Sequence, residues 1–578
     1  MFISEKSMKK KFQHYWDYII AAIITPLIWG WYYGDHFKLS LSYPLTNQSD
    51  LWMGFASIKA LINGEWSPFS GIVLNHIGSP FGAVNISMDY PILEQLQFVF
   101  IWIIGFFSSN PFLVMNIYYI LGFVFVVWTM IFLTRQFHIS QEIGFVVGLL
   151  YAFIPYHFFR YEHIMLASYC LIPIAGLLLF WIWSKKPLFV FNKRSPVWWA
   201  VFDRKSWFAG IAALLIGFWH VYYAFFFCIF VVVAGVSATL YQHSRRHLIS
   251  AFILIGLVFT ALSITAIPTL YGQLIQGKNH EVARRSSVES ELYGLKIVNI
   301  LLPFPNHRFG PFKHLRNKYQ GSLSVEGSVE YIGLISSLGL IGIISSLLFL
   351  VKSPMYSKFL LLTITGILYA TLGGFSVFFA ILISPQIRCP NRISPYLACF
   401  ALFWVAWHLQ KIKNIIPKKW VFYISLLLLL IIGLNDQIAP YMVFRPSKDA
   451  IDSDQKFIQA IELQIPNGSV IQLPYLSFPE VPPVYDMTDY SHLRGYLFSN
   501  HLNWSYGAFR GRDAAKKIEA ISREPLSLLK IREMGYAGIY IDRYGYANHQ
   551  PTIETQLQNE LKQKPLESIN KRFCFYKL

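Results

Sequence analysis

Charge is what this sequence has least of. Asp, Glu, Lys and Arg make up 14% of 578 residues, where a soluble domain carries about 25%, so a soluble globular chain is excluded. Cysteine is scarce as well. Cys170, Cys228, Cys389, Cys399 and Cys574 show no CxxC spacing and three of them lie inside apolar segments, which argues against a zinc site or a disulfide framework. Acidic residues number 31 against 49 basic ones, a net charge of +18. The basic excess falls in short loops between apolar runs, the pattern of cytoplasmic loops in a membrane protein, and no nucleic-acid partner is expected. There is no internal repeat, and the inverted halves of a secondary transporter are not evident. The basic start (Lys6, Lys9, Lys10, Lys11) precedes an apolar stretch without an A-x-A-like cleavage site, so it reads as an uncleaved first helix.

What the chain does have is apolar length. It is 54% apolar and 17% aromatic, with a mean hydropathy of +0.42, and runs long enough to cross a bilayer, roughly 20 residues each, recur over the first three-quarters. The fold class is a polytopic α-helical membrane protein. Placing the basic loops on the cytoplasmic side gives about eleven crossings: 18–34, 112–134, 143–159, 164–183, 207–219, 220–241, 249–271, 331–351, 358–384, 393–409 and 420–436. The 35 mostly apolar residues from Trp207 to Tyr241 are divided at His220, in FWHVYY. The N-terminus is then cytoplasmic and the C-terminus extracytoplasmic. This threading closes only if residues 92–108 (ILEQLQFVFIWIIGFFS) form a re-entrant or interfacial helix. If they cross, 143–159 or 207–219 does not.

The expected organisation is a transmembrane domain, 1–437, with external loops 35–91 and 273–330, followed by a small extracytoplasmic α/β domain, 438–578. In the latter, SVIQLPY (469–475) and AGIYIDR (537–543) read as short buried strands, DAAKKIEAISREPLSLLKIREMG (513–535) reads as helical, and Gly and Pro punctuate the rest.

The threading collects the unusual polar residues on the outer face. Asp50, His76 and Asp89 lie in the first loop, Arg160, Glu162 and His163 in FRYEHIM, and His220 at the helix break. Arg284, Arg285 and Glu289 follow in NHEVARRSSVESELYG, and Arg388, Asn391 and Arg392 in QIRCPNRIS. Ionisable groups at membrane depth are costly and usually functional. Carboxylates among arginines suit a substrate with an anionic phosphate and a reacting hydroxyl: Arg holds phosphate bidentately, and a carboxylate accepts the hydroxyl proton. Each residue also has a plainer reading. Ser49-Asp50 suits the cap of the helix beginning LWMGFASIKAL. His76 and Asp89 suit turns, Arg160 and Glu162 an interfacial ion pair, His220 a hydrogen-bonded core histidine, and Arg284 and Arg285 headgroup anchors.

An aspartate in the first external loop, many spans and an external C-terminal segment resemble the GT-C superfamily of integral-membrane glycosyltransferases. The stretches SDLWMGFASIKALINGEW, NHIGSPFGAVNISMDYP, AFIPYHFFRYEHIMLASYCLIPIA, EVARRSSVESELYGLKIVNILLPFPNHR, NRISPY and SHLRGYLFSNHLNWSYGAFRGR resemble bacterial membrane proteins of a "sugar translocase" group, distantly similar to YfhO-like glycosyltransferases. The resemblance implies a bacterial inner-membrane enzyme that transfers a sugar from a polyprenyl-phosphate donor to a cell-envelope glycan or lipid acceptor on the extracytoplasmic face. By position, Asp50 takes the role of the first-loop acid, with Asp89 a second carboxylate. His76, Arg160, Glu162, His163, His220, Arg284, Arg285, Glu289, Asn391 and Arg392 are the candidate substrate-binding residues. GT-C proteins commonly carry two adjacent acids where this chain has Ser49-Asp50, which leaves a divalent metal (Mg or Mn) open. A lipid-linked sugar flippase without chemistry is the alternative.

Overall fold

The computed structural model describes residues 5–46, 49–189, 203–282, 284–319, 330–348, 353–438 and 447–578. Lys193 and Arg194, between the runs expected at 164–183 and 207–219, residues 320–329 of the expected loop 273–330, and the 439–446 stretch opening the C-terminal segment lie outside them, as do the Lys6, Lys9, Lys10 and Lys11 side chains.

The chain is largely helical. Among the described residues six helices are long and apolar enough to cross a membrane: Pro111–Gln136, Gln141–Phe159, Tyr161–Ile182, Val221–Gln242, Arg246–Thr265 and Lys419–Gln437. The eleven crossings expected from hydropathy are not all reproduced, and the differences have local causes. The run 249–271 is two helices, Arg246–Thr265 and Ile267–Gln276. Pro268 sits in the first turn of the second, where its missing N–H is tolerated but would break a continuing ladder. The run 358–384 likewise divides into Pro354–Ala370 and Phe375–Leu382, with Gly373 at φ +68° in the turn between. Residues 92–108 hold only the 11-residue helix Gln95–Gly105. At about 1.5 Å per residue it is roughly half the length a bilayer core requires. The break at His220 falls where FWHVYY places it, between Arg204–Trp219 and Val221–Gln242.

The chain divides into two compact units. The first comprises Met1–Leu39, Tyr119–Ile264 and Arg285–Phe444. At its centre runs the Ser394–Ile415 helix, buried almost without interruption from Ser394 to Phe403. Gly339 of the Leu334–Leu348 helix lies against it so closely that an added Cβ would stand 2.6 Å from the Ala401 carbonyl oxygen, the small-residue packing that lets membrane helices approach. Asp436 is buried here and accepts hydrogen bonds from the Tyr331 hydroxyl (2.8 and 2.9 Å) and the Leu334 N–H.

The second unit comprises Ser40–Tyr118, Thr265–Arg284 and Arg445–Leu578. Its centre is a five-stranded mixed sheet of β4 (Ser469–Leu473), β5 (Asn503–Trp504), β6 (Tyr536–Asp542), β7 (Leu566–Glu567) and β8 (Phe573–Lys577), in the order β5-β4-β6-β8-β7. β4 runs parallel to β5 and β6, while β8 is antiparallel to β6 and β7. The strands expected at 469–475 and 537–543 are β4 and β6. Their apolar residues Ile471, Leu473, Ile539 and Ile541 pack with Ile531, Ile553 and Leu557 from the flanking helices. The expected helical stretch 513–535 is two helices, Asp513–Ile521 and Leu528–Glu533, parted around Pro525. The first loop joins this unit through a small antiparallel sheet, β1 (Trp66–Ser67), β2 (Gly71–Leu74) and β3 (Val84–Asn85). Residues 76–79 extend the large sheet at its β5 edge: Trp504 N donates to the His76 carbonyl, Ser79 N to the Trp504 carbonyl and Gly78 N to the Tyr506 carbonyl.

Candidate active site

In the second unit Asp50 lies in the first turn of the Ser49–Ile62 helix, where a carboxylate is favoured by the exposed N–H groups and the helix dipole. That helix is fixed at two points. Trp52 packs under the Arg494 guanidinium, 3.7 Å from its ring centroid, and Arg494 is ion-paired to buried Asp454 at 2.5 Å. Near the other end the Lys59 ammonium donates to the carbonyls of Tyr496, Leu497 and Ser499 at 2.7, 3.3 and 2.6 Å, satisfying acceptors left open at the end of the Leu493–Phe498 helix. Burial lowers the Lys59 pKa to about 8, against the pull of Glu65 and Glu462.

A second carboxylate stands beside Asp50. The Ser49 hydroxyl donates to Asp489 Oδ1, and the Asp50 charge acts on both Asp489 and Tyr490. Burial raises the Asp489 carboxyl above its ordinary value; the Ser49 hydrogen bond opposes this and the Asp50 charge adds to it. The Tyr506 hydroxyl holds the Asp489 carbonyl at 2.6 Å. Glu480, which accepts from the Tyr90 hydroxyl at 3.1 Å, also acts on Tyr490. Nothing near residue 489 in sequence marks it as a partner of Asp50, apart from an acid in MTDYSHLRGY.

The other first-loop candidates are held by this unit's own framework. Asp89 is paired fork to fork with Arg512, at 3.0 Å to Nε and 2.5 Å to Nη2. Arg512 also donates to the carbonyls of Gln276 and Gly277 at 2.6 and 2.9 Å. His76 Nδ1 lies 3.1 Å from the Asn503 side-chain oxygen. Arg284 is exposed, its Nε donating to the His280 carbonyl.

The first unit gathers the remaining candidates. His220 is buried, and its Nδ1 accepts from Tyr222 N at 3.2 Å, which leaves the ring proton on Nε2 in the neutral form. Arg392 and His163 are close enough for their charges to act on it. The Arg392 guanidinium lies 4.6 Å over the Tyr222 ring. His163 Nδ1 is 3.6 Å from Glu162, and Arg160 is buried with its guanidinium 5.3 Å from the Tyr156 centroid. Arg388 of the QIRCPNRIS turn, to which the sequence gives no role, pairs with Glu289 at 2.7 Å and lies over Tyr293. Partial burial raises the Glu289 carboxyl, but the hydrogen bonds from Arg388 and Ser286 N, with the Arg388 and Arg285 charges, hold it below the ordinary range. Asn391 donates to buried Glu330 at 3.4 Å. Both Arg392 and Arg388 act on Tyr222, so the two arginines of QIRCPNRIS serve one cluster.

The second unit thus holds a carboxylate pair, and the first a group of arginines, histidines and glutamates. Among the described residues no three His, Cys, Asp or Glu side chains are grouped to hold a metal ion, so the Mg or Mn left open by the sequence has no ligand set there.

No family model and no curated protein matches this chain. Among solved structures, the arabinofuranosyltransferase AftD from mycobacteria matches at a TM-score of 0.47 and 14% identity, over 91% of this chain and 35% of that one, so the chain spans about a third of AftD's length. ArnT from Cupriavidus metallidurans matches at TM-scores of 0.46, bound to undecaprenyl phosphate, and 0.45, in the apo state. Identities there are 11% and 10%, over 97% of both chains. At TM-scores below 0.5 these likenesses assign neither family nor activity.

Proposed function

We propose that this multi-pass protein, with its N-terminus cytoplasmic and its C-terminal segment extracytoplasmic, is a GT-C-type glycosyltransferase of the bacterial inner membrane. It moves a sugar from a polyprenyl-phosphate donor to a cell-envelope glycan or lipid on the extracytoplasmic face. The observation that supports this most is the Asp50–Asp489 pair at the start of a helix braced by Arg494 and Lys59. Asp50 takes the proton of the acceptor hydroxyl as its oxygen attacks the anomeric carbon. The bond from that carbon to the phosphate oxygen breaks, the sugar inverts, and polyprenyl phosphate leaves with the bonding pair. Asp489 keeps negative charge next to Asp50, and like charge makes a carboxylate a better proton acceptor.

Arg392, with Arg284 and Arg285, holds the donor phosphate and stabilises the charge that grows on it. His163, His220, Arg160, Glu162, Glu289 and Asn391 shape the donor pocket, and His76 with Asp89 supports the first loop. Asn in place of Asp50 keeps the shape of the side chain and removes the base. In membranes supplied with a polyprenyl-phosphate sugar, Asp50→Asn is expected to lower transfer at least ~100-fold, the lower end of what a positioned base contributes, while donor binding persists. Full activity in Asp50→Asn overturns the assignment. A flippase without chemistry would keep its function in that variant.

A further inference from the structure

The α/β part of the second unit contains a polar cleft of about 620 Å³ that the transfer chemistry does not use. It lies beyond the carboxyl end of β6, where open α/β sheets ordinarily bind ligands, and its size falls within the usual range for ligand pockets. Its floor is charged but neutralised. Arg543 donates to both oxygens of Glu554 (2.6 and 2.7 Å), to Glu567 (2.5 Å) and to the Lys571 carbonyl (2.9 Å). Arg572 is paired fork to fork with Asp542 at 2.9 and 2.6 Å. These guanidiniums are committed, so the cleft is not built around a multiply charged anion.

What the lining leaves available is neutral. Among the described residues the side chains of Gln550 and Thr555 and the side-chain nitrogen Nδ2 of Asn570 have no hydrogen-bond partner. An amide or hydroxyl both donates and accepts, the property that matches a sugar hydroxyl. One wall is aromatic. Tyr544 is held between the Arg572 guanidinium, 4.5 Å from its centroid, and the His549 ring, also at 4.5 Å. His549 is tied to Asp486 at 2.6 Å and keeps 44% of its side chain exposed, a flat surface for the C–H face of a pyranose. Among the described residues Lys571 is a lining cation with no ion pair, on an exposed turn with φ +58°.

From this lining we infer a binding site for a short glycan chain, neutral or bearing a single acidic substituent that Lys571 would meet. The inference deepens the reading of the chain as a glycosyltransferase, because such a site would grip the acceptor away from the reacting hydroxyl.

The test is capture of the full-length detergent-solubilised protein on an array of bacterial surface oligosaccharides, some neutral and some carrying uronate or phosphate. The wild type is expected to capture oligosaccharides of two or more sugars. Gln550→Ala with Thr555→Ala, both exposed positions, is expected to weaken capture at least tenfold without changing the melting temperature. Lys571→Gly, which also suits the positive φ, is expected to weaken only the acidic members. Asp50→Asn is expected to bind the array as the wild type does, so loss of transfer and loss of capture are separable. If the wild type captures no oligosaccharide, or the double variant binds equally well, the inference is overturned.

Discussion

The hydroxyl of Ser49 hydrogen-bonds the carboxylate of Asp489, 440 residues further along the chain, and so sets a second acid beside Asp50. Two interacting carboxylates lose their protons in steps that belong to the pair. If the pair acts as proposed, transfer is expected to fall away at low pH as its carboxylates are protonated. Asn in place of Asp489 removes a neighbouring negative charge, so ionisation becomes easier and the acid limb of the rate profile is expected to move to lower pH. The rate on the plateau is expected to fall about tenfold as the weaker base remains. Transfer rates from pH 4 to pH 8 in both proteins check this; an unmoved acid limb would mean that Asp489 does not act on the base.

Arg392 is expected to act on the donor. With its guanidinium over Tyr222 and beside His220, Arg392→Ala is expected to raise KM for the polyprenyl-phosphate sugar about tenfold or more. Arg392→Lys is expected to restore only part of this, because an ammonium lacks the planar fork. KM and kcat measured separately distinguish lost binding from lost chemistry.

The Asp89–Arg512 pair is expected to serve stability. Asp89 is 5% and Arg512 23% exposed. Arg512→Ala leaves a largely buried carboxylate and two carbonyls without their donor, at a cost of about 2–3 kcal/mol, the worth of hydrogen bonds to a charged group. Earlier thermal unfolding and faster proteolysis at 277–284 are the readouts. Unchanged melting would show that the pair is dispensable.

Lys59 gives a pH signature with a definite sign. Its folded-state pKa of about 8 lies below the ordinary lysine value, so between about pH 8 and pH 10 the unfolded chain holds a proton that the folded chain has lost. Stability from this group therefore rises with pH across that window and is flat below it. Lys59→Met is expected to remove the rise, as seen by comparing the melting temperatures of the two proteins at pH 7, 8, 9 and 10.

Much of the architecture is written locally and can be read. The apolar runs, the break at His220 and the strands β4 and β6 follow from composition over five to twenty residues. Hydropathy averaged over a window overran two helix ends, at Pro268 and at Gly373, because single-residue backbone constraints are invisible to an average. The site is less legible. Asp50 stands out as an acid in a polar loop, but its neighbour Asp489, its brace Arg494 and the Asp89–Arg512 pair all arise from contacts more than 400 residues apart in the chain. Such pairings leave no local period or spacing. Arg388 and Arg392 were visible as a cluster, and which carboxylate or ring each would meet was not.

Arg512 ties its own C-terminal segment to two other parts of the chain at once, Asp89 and the carbonyls at residues 276 and 277. Biosynthesis delivers these in order, with membrane helices made in between. The first loop therefore emerges long before the residue that closes it, and Asp50 is made more than 400 residues ahead of Asp489. The pair therefore forms only once the segment carrying Asp489 has been made, and a chain cut short before that residue would hold Asp50 without its neighbour.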